Sequence, residues 1–228
     1  MTPPTTLRGV AAPRARVRDD RTDPRHELEG GSIELLGGRI EFVHPRDPME
    51  QLYEQNFNAT EEYPPYWAEL WPSGIELAYA VSGRGLRGTR VLELGCGLGL
   101  PSIAAALGGG RVLATDRSPD SIAFAASNAA RSGAVLETGV CSWEDAEAVV
   151  DRAPWDLVLA SDVLYGHRNL VELLALLPRL VDASGEVWIS DPNRPLSGEF
   201  LAAAGADWHV TTTDTRVANV RIHRLRPR

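Results

Sequence analysis

The chain has 228 residues, 43% apolar and 24% charged, which suits a globular α/β protein with a full core. No apolar run reaches the ~20 residues that cross a bilayer, and the N-terminus carries no apolar segment, so neither a membrane span nor a secretory signal is expected. The net charge of −8 speaks against a nucleic-acid partner, which a basic face would normally hold.

All the basic residues are arginine, with no lysine anywhere, the usage a GC-rich genome produces. The two cysteines, Cys96 and Cys141, sit in apolar stretches without a Cys or His at ligand spacing. No disulfide framework and no metal site are therefore expected, and the setting reads as reducing and cytoplasmic.

Residues Met1 to Gly31 carry prolines, six arginines (Arg8, Arg14, Arg16, Arg18, Arg21 and Arg25) and almost no apolar periodicity. They read as a disordered, solvated tail; contact with an acidic partner is the alternative. An N-terminal extension over residues 32–72 follows. Its Ser32–Leu36 and Arg39–Val43 segments flank Gly37-Gly38 as a hairpin suited to a lid, and Asp47 to Gln55 looks helical. The main domain spans 73–228 and opens on a helix, Gly74 to Ser82.

Strands and helices then alternate. Strands are expected at Arg90–Leu94, Arg111–Asp116, Val135–Val140, Trp155–Ser161 and Glu186–Asp191, with helices at Leu100–Leu107, Pro119–Ser132, Ser142–Asp151 and Asn169–Val181. The strands are short and apolar on both faces, the pattern of a parallel sheet covered by helices. A helix at Leu196–Ala204 and strands at Trp208–Thr213 and Ala218–Leu225 end the chain.

The stretch Val91-Leu-Glu-Leu-Gly-Cys-Gly-Leu-Gly99 carries the chemistry. A strand runs through Gly95, Cys96, Gly97 and Gly99 into a helix whose N-terminus offers free N–H groups. The dinucleotide fingerprint G-x-G-x-x-G needs its third glycine one residue later, where Leu100 stands. Glu93 would repel a pyrophosphate but meet the ammonium of an amino acid. The ligand indicated is S-adenosylmethionine (SAM), with a nucleotide or a purely structural turn as alternatives. Asp116, next to Arg117, ends the following strand, where a carboxylate bonds a ribose diol or caps the next helix. After the third strand, Ser142 is placed to cap a helix and line an adenine slot. Trp143 is either the wall of that slot or a core side chain.

Trp155-Asp-Leu-Val-Leu-Ala-Ser-Asp-Val-Leu-Tyr165 is a buried strand ending in polar groups. Ser161, Asp162 and Tyr165 then stand near the reacting end, since ligands of open α/β sheets bind at that edge. Methyl transfer needs alignment and a neutral amine lone pair more than a protein nucleophile. Asp162 is placed to attract an ammonium and help remove its proton, with Tyr165 orienting it; a structural cap is the alternative for Asp162.

Four motifs keep their order: Pro65-Tyr-Trp-Ala-Glu-Leu-Trp-Pro-Ser-Gly74, Leu92 to Pro101, Ala160-Ser-Asp-Val-Leu-Tyr165 and Ser190-Asp-Pro-Asn-Arg-Pro195. Over about residues 60 to 200 the chain resembles the family-16 seven-β-strand protein-lysine methyltransferases, nearest the branch that includes the electron-transfer-flavoprotein β-subunit lysine methyltransferase. The resemblance implies a Rossmann-like seven-stranded sheet ending in an antiparallel pair. It also implies SAM as donor, S-adenosylhomocysteine as product, Trp71 against the cofactor, and Asp162 and Tyr165 facing the acceptor. Tyr66, Asp191 and Asn193 are expected on the substrate side. Asn193 stands where the related branch has glycine, and Ser142 where the family commonly has aspartate.

The acceptor is then a protein lysine or a small-molecule amine. A non-catalytic SAM-binding module and a nucleic-acid methylase are the remaining readings, the last weakened by the lack of an N-P-P-Y signature. A monomer or weak homodimer is expected.

Overall fold

The structure, a computed structural model, describes residues 28–46 and 66–228. The expected tail up to residue 27, the Asp47–Gln55 helix and residues 63–65 lie outside the described residues.

Strands β1 (Leu28–Leu35) and β2 (Gly38–Pro45) form an antiparallel hairpin around Leu36-Gly37. A single 3₁₀ turn (Tyr66–Ala68) leads into helix α1 (Pro72–Ser82). The alternating region then runs β3 (Arg90–Leu94), α2 (Leu100–Leu107), β4 (Arg111–Asp116), α3 (Pro119–Arg131), β5 (Glu137–Val140), α4 (Glu147–Val150), β6 (Leu157–Ser161), α5 (His167–Leu180), β7 (Glu186–Asp191), α6 (Pro195–Ala204), β8 (Trp208–Asp214) and β9 (Arg221–Pro227).

The last seven strands form one sheet in the order β5-β4-β3-β6-β7-β9-β8. β3 to β7 run parallel, and β9 pairs antiparallel with β7 and β8. The chain leaves β3 toward β5, then returns to the other side of β3 as β6. A topological switch point therefore falls between β3 and β6, and the crevice beyond their C-terminal ends is the ligand position of such sheets.

Strand alternation divides the core into two layers. Leu157 and Leu159 join Ile75, Ile103, Phe124 and the hairpin's Ile33, Ile40 and Phe42 on one face. Val158 and Ala160 join Leu173, Leu177, Phe200 and Trp155 on the other. The hairpin is therefore part of the core, and the cavity described below is lined from the N-terminal extension by residues of the Tyr66 to Trp71 segment instead. Asn128 on α3 anchors it, taking the Val43 N–H at 2.8 Å.

Several elements differ from expectation. β1 begins at Leu28, within the span read as tail. The Ser142–Asp151 helix shrinks to one turn because Asp145 N donates to Ser142 O at 3.2 Å, closing a turn that swings Trp143 out of a helical path. Val135 is 90% exposed and precedes β5. Ala218 belongs to a loop that Thr215 Oγ1 closes by donating to Val220 O at 2.9 Å, so β9 starts at Arg221. Among the described residues no helix is long and apolar enough to cross a membrane.

Candidate active site

A cavity of about 390 Å³ opens at the C-terminal ends of β3, β4 and β6, within the ~300–1,000 Å³ range of small-molecule sites. Its floor is the loop after β3. Gly95, Gly97 and Gly99 have φ of 68°, 51° and 81°, a region costly for other residues. Gly95, Cys96 and Gly97 line the cavity. Gly99 does not: a Cβ there would stand 2.9 Å from the Ala125 Cβ, so it serves the close packing of α2 on α3. Burial pushes the Cys96 thiol well up, which keeps it protonated.

Asp116 joins this loop to the next. Its Oδ2 accepts from Gly97 N at 3.0 Å and its Oδ1 from Ser118 N at 2.9 Å. The cap of α3 is Ser118, which takes Ser121 N, so Asp116 is left to face the cavity beside Arg117. Burial raises the Asp116 pKa, against the pull of these N–H donors. Ser142 and Trp143 line the far side. The Trp143 ring packs on the second core layer and also lines the cavity, its Cζ2 lying 3.5 Å from a Cβ built on Gly95.

Glu93 is placed otherwise than expected. It is fully buried and does not line the cavity. Its Oε2 accepts from Ser102 N at 2.9 Å and Ser102 Oγ at 2.5 Å, holding the start of α2. Its Oε1 has no partner, and burial pushes the carboxyl up to about 8.

Ser161, Asp162 and Tyr165 line the opposite end, with Tyr66 and Trp71. The aromatic rings meet edge to face, Tyr66 to Tyr165 at 5.8 Å and Tyr66 to Trp71 at 6.4 Å between centroids. Trp71 Nε1 donates to Tyr66 O at 2.8 Å, which fixes the indole at the wall. Asp162 adopts φ 57°. Its Oδ1 accepts from Arg194 Nε at 2.6 Å and Nη2 at 2.5 Å, and its Oδ2 from Ser73 Oγ at 3.2 Å. Burial raises its pKa in spite of the guanidinium.

Asp191 and Asn193, expected to face the acceptor, do not line the cavity. Asp191 is fully buried and secures the turn into α6, its Oδ1 accepting from Arg194 N at 2.7 Å and from Ser197 Oγ. Asn193 takes φ 62°, as its glycine-like position requires, and its Oδ1 accepts from Arg221 Nη1 at 3.4 Å. Sequence reasoning missed Arg194, which lies in the same motif and stands 5.6 Å over the Trp71 ring. It also missed Glu69, Arg168 and Glu172 of the wall.

The lysine methyltransferase family model matches residues 65–203. The chain belongs to that family. An electron transfer flavoprotein beta subunit lysine methyltransferase of Xenopus laevis is 37% identical over 137 residues, covering 57% of this chain and 53% of that protein. A ubiquinone biosynthesis O-methyltransferase of Xylella fastidiosa is 31% identical over 136 residues, 60% of this chain and 55% of its own length. The chain thus spans about half the length of the curated relatives it matches. The fold also superposes on the 16S rRNA N2 G1207 methyltransferase of T. thermophilus, a structure in complex with AdoMet and guanosine. The TM-score is 0.63 at 16% identity, covering 88% of this chain and 51% of that one.

The donor set fits SAM. Gly95 and Gly97 line the cavity with backbone that no side chain crowds from their own positions, Asp116 keeps spare lone pairs for a diol, and Trp143 offers a flat face. Among the described residues no group of three His, Cys, Asp or Glu is placed to hold a metal.

Proposed function

We propose that the chain is a SAM-dependent N-methyltransferase whose acceptor is an amine, a lysine side chain of another protein in the first instance. The observation that carries this reading is the single cavity wall that joins the glycine loop and Asp116 at one end to Asp162, Tyr165 and Trp71 at the other.

SAM, when bound, supplies a methyl group already activated on a sulfonium. The chain's own residues hold and align. Gly95, Cys96, Gly97, Asp116, Arg117, Ser142 and Trp143 would hold the nucleoside end, and Ser161 and Trp71 would flank the amino-acid end. Asp162 Oδ2 accepts from Ser73 Oγ alone, so it keeps capacity for an acceptor N–H. A carboxylate whose pKa burial has raised is a better proton acceptor there. Tyr66, Trp71 and Tyr165 flank the approach with aromatic surface.

The N-terminal extension over 32–72 and the catalytic domain over 73–228 are our division of the chain. We read it as cytoplasmic, a monomer or weak homodimer, and not a nucleic-acid binder; buried free Cys96 and Cys141 support the reducing compartment.

Tritiated SAM offered with the protein to a cell lysate tests the reading. Label should enter the protein fraction and be recovered as methyl-lysine. Because the chain contains no lysine, none of that signal can come from self-modification. A second reading, a small-molecule acceptor, is supported by the likeness to ubiquinone biosynthesis O-methyltransferases, and would put the label in the small-molecule fraction.

A further inference from the structure

The carboxylates that line the cavity differ in one respect. Asp116 is held by Gly97 N and Ser118 N, and Asp162 by Arg194 and Ser73. Glu144 and Glu172 both pair with Arg168, the latter at 2.7 Å. Glu69 alone has a carboxylate without a hydrogen bond or ion pair among the described residues. Only its backbone is engaged, N donating to Tyr66 O at 3.3 Å, which closes the turn that presents the side chain.

Glu69 is half-buried on the segment that also carries Tyr66 and Trp71, with Tyr165 edge-on to Tyr66. Tyr66 and Tyr165 are 38% and 40% exposed, so this aromatic group forms the mouth of the cavity. A carboxylate without a partner offers an incoming cation a charge-assisted hydrogen bond, and aromatic faces beside it favour an ammonium on an aliphatic stem. Arg194 already balances the charge of Asp162 through Oδ1, whereas Glu69 has no counter-charge among the described residues.

We propose that Glu69 selects the acceptor by its charge, binding a primary alkylammonium at the mouth and disfavouring neutral heteroaromatic amines. This rests on the methyltransferase reading of the cavity and names its substrate class. Glu69 acts on binding and not on the chemical step, because methyl transfer needs the neutral amine. Its loss therefore raises KM and leaves kcat nearly unchanged.

The test uses the full-length protein saturated with S-adenosylhomocysteine, titrated with N-acetyl-lysine amide and with its uncharged analogue N-acetyl-norleucine amide. The wild-type protein should bind the lysine probe about tenfold more tightly, as expected for a charge-assisted contact. Glu69→Gln should bind both probes alike while keeping its S-adenosylhomocysteine affinity. A wild-type protein that does not prefer lysine, or a Glu69→Gln variant that keeps the preference, overturns the proposal. So does a variant that loses S-adenosylhomocysteine, since Glu69 would then belong to the cofactor. Failure of the wild-type protein to bind S-adenosylhomocysteine would instead sink the reading of the cavity itself.

Discussion

Asp162 carries Arg194 on one oxygen and Ser73 on the other, in a backbone conformation that costs about 1 kcal/mol or more for a residue with a Cβ. Asn can keep that conformation and the volume but cannot take up a proton. Asp162→Asn should therefore hold S-adenosylhomocysteine normally and lose roughly 10²-fold or more in kcat. Wild-type turnover with a much lower Tm would make the carboxylate a structural cap. Arg194 lowers the Asp162 pKa against burial, so Arg194→Met should push it further up. The limb of the rate profile that needs the carboxylate then moves to higher pH, which a kcat titration reads directly. Glu93 supplies a second pH effect. Its folded-state value of about 8 lies above the ordinary 4.5, so its contribution to stability is complete below pH 4.5 and is lost as pH rises through 8. Urea midpoints should fall across that window in the wild-type chain, and Glu93→Gln should remove this part of the slope. Asp162, Asp116 and the glycines were legible because strand ends announce them. Arg194 and Glu69 were not, since what distinguishes them is a partner gained 32 positions away in one case and a partner lacking in the other.

Helix α3 is the joint between the hairpin and the glycine loop. Asn128 is fully buried, accepts from Val43 N, and donates to Val43 O at 3.2 Å and Leu98 O at 3.1 Å. Asn128→Ala leaves these buried backbone groups unpaired and should cost about 2–3 kcal/mol in a urea titration. It should also weaken S-adenosylhomocysteine binding, because Leu98 lines the cavity. An unchanged midpoint would show that the hairpin docks without this contact. The elements that followed the sequence reading most closely, such as β3, β4, β7 and α2, are those buried on both faces or bounded by glycine and proline. Two departures have local causes. Val135 had strand composition but no neighbour to pair with, and Ser142 had cap composition but closed a turn instead.

Across the whole molecule, the sheet order brings residues from distant parts of the chain to one edge. Trp71, Gly95, Asp116, Trp143 and Asp162 line one cavity only because β3 lies between β4 and β6. The alternation of strands and helices made this architecture readable from the sequence. Strand-end position picked out Asp116 and Asp162 but could not exclude Glu93 and Asp191, which sit near strand ends too and are buried away from the cavity. Calorimetric titration with S-adenosylhomocysteine tests the central claim most directly. The wild-type chain should bind one molecule with micromolar affinity, about −8 kcal/mol. Asp116→Ala should weaken that by about 1–3 kcal/mol, the cost of unpairing buried donors. Tighter binding of NADH than of S-adenosylhomocysteine, or no binding of either, would contradict the account.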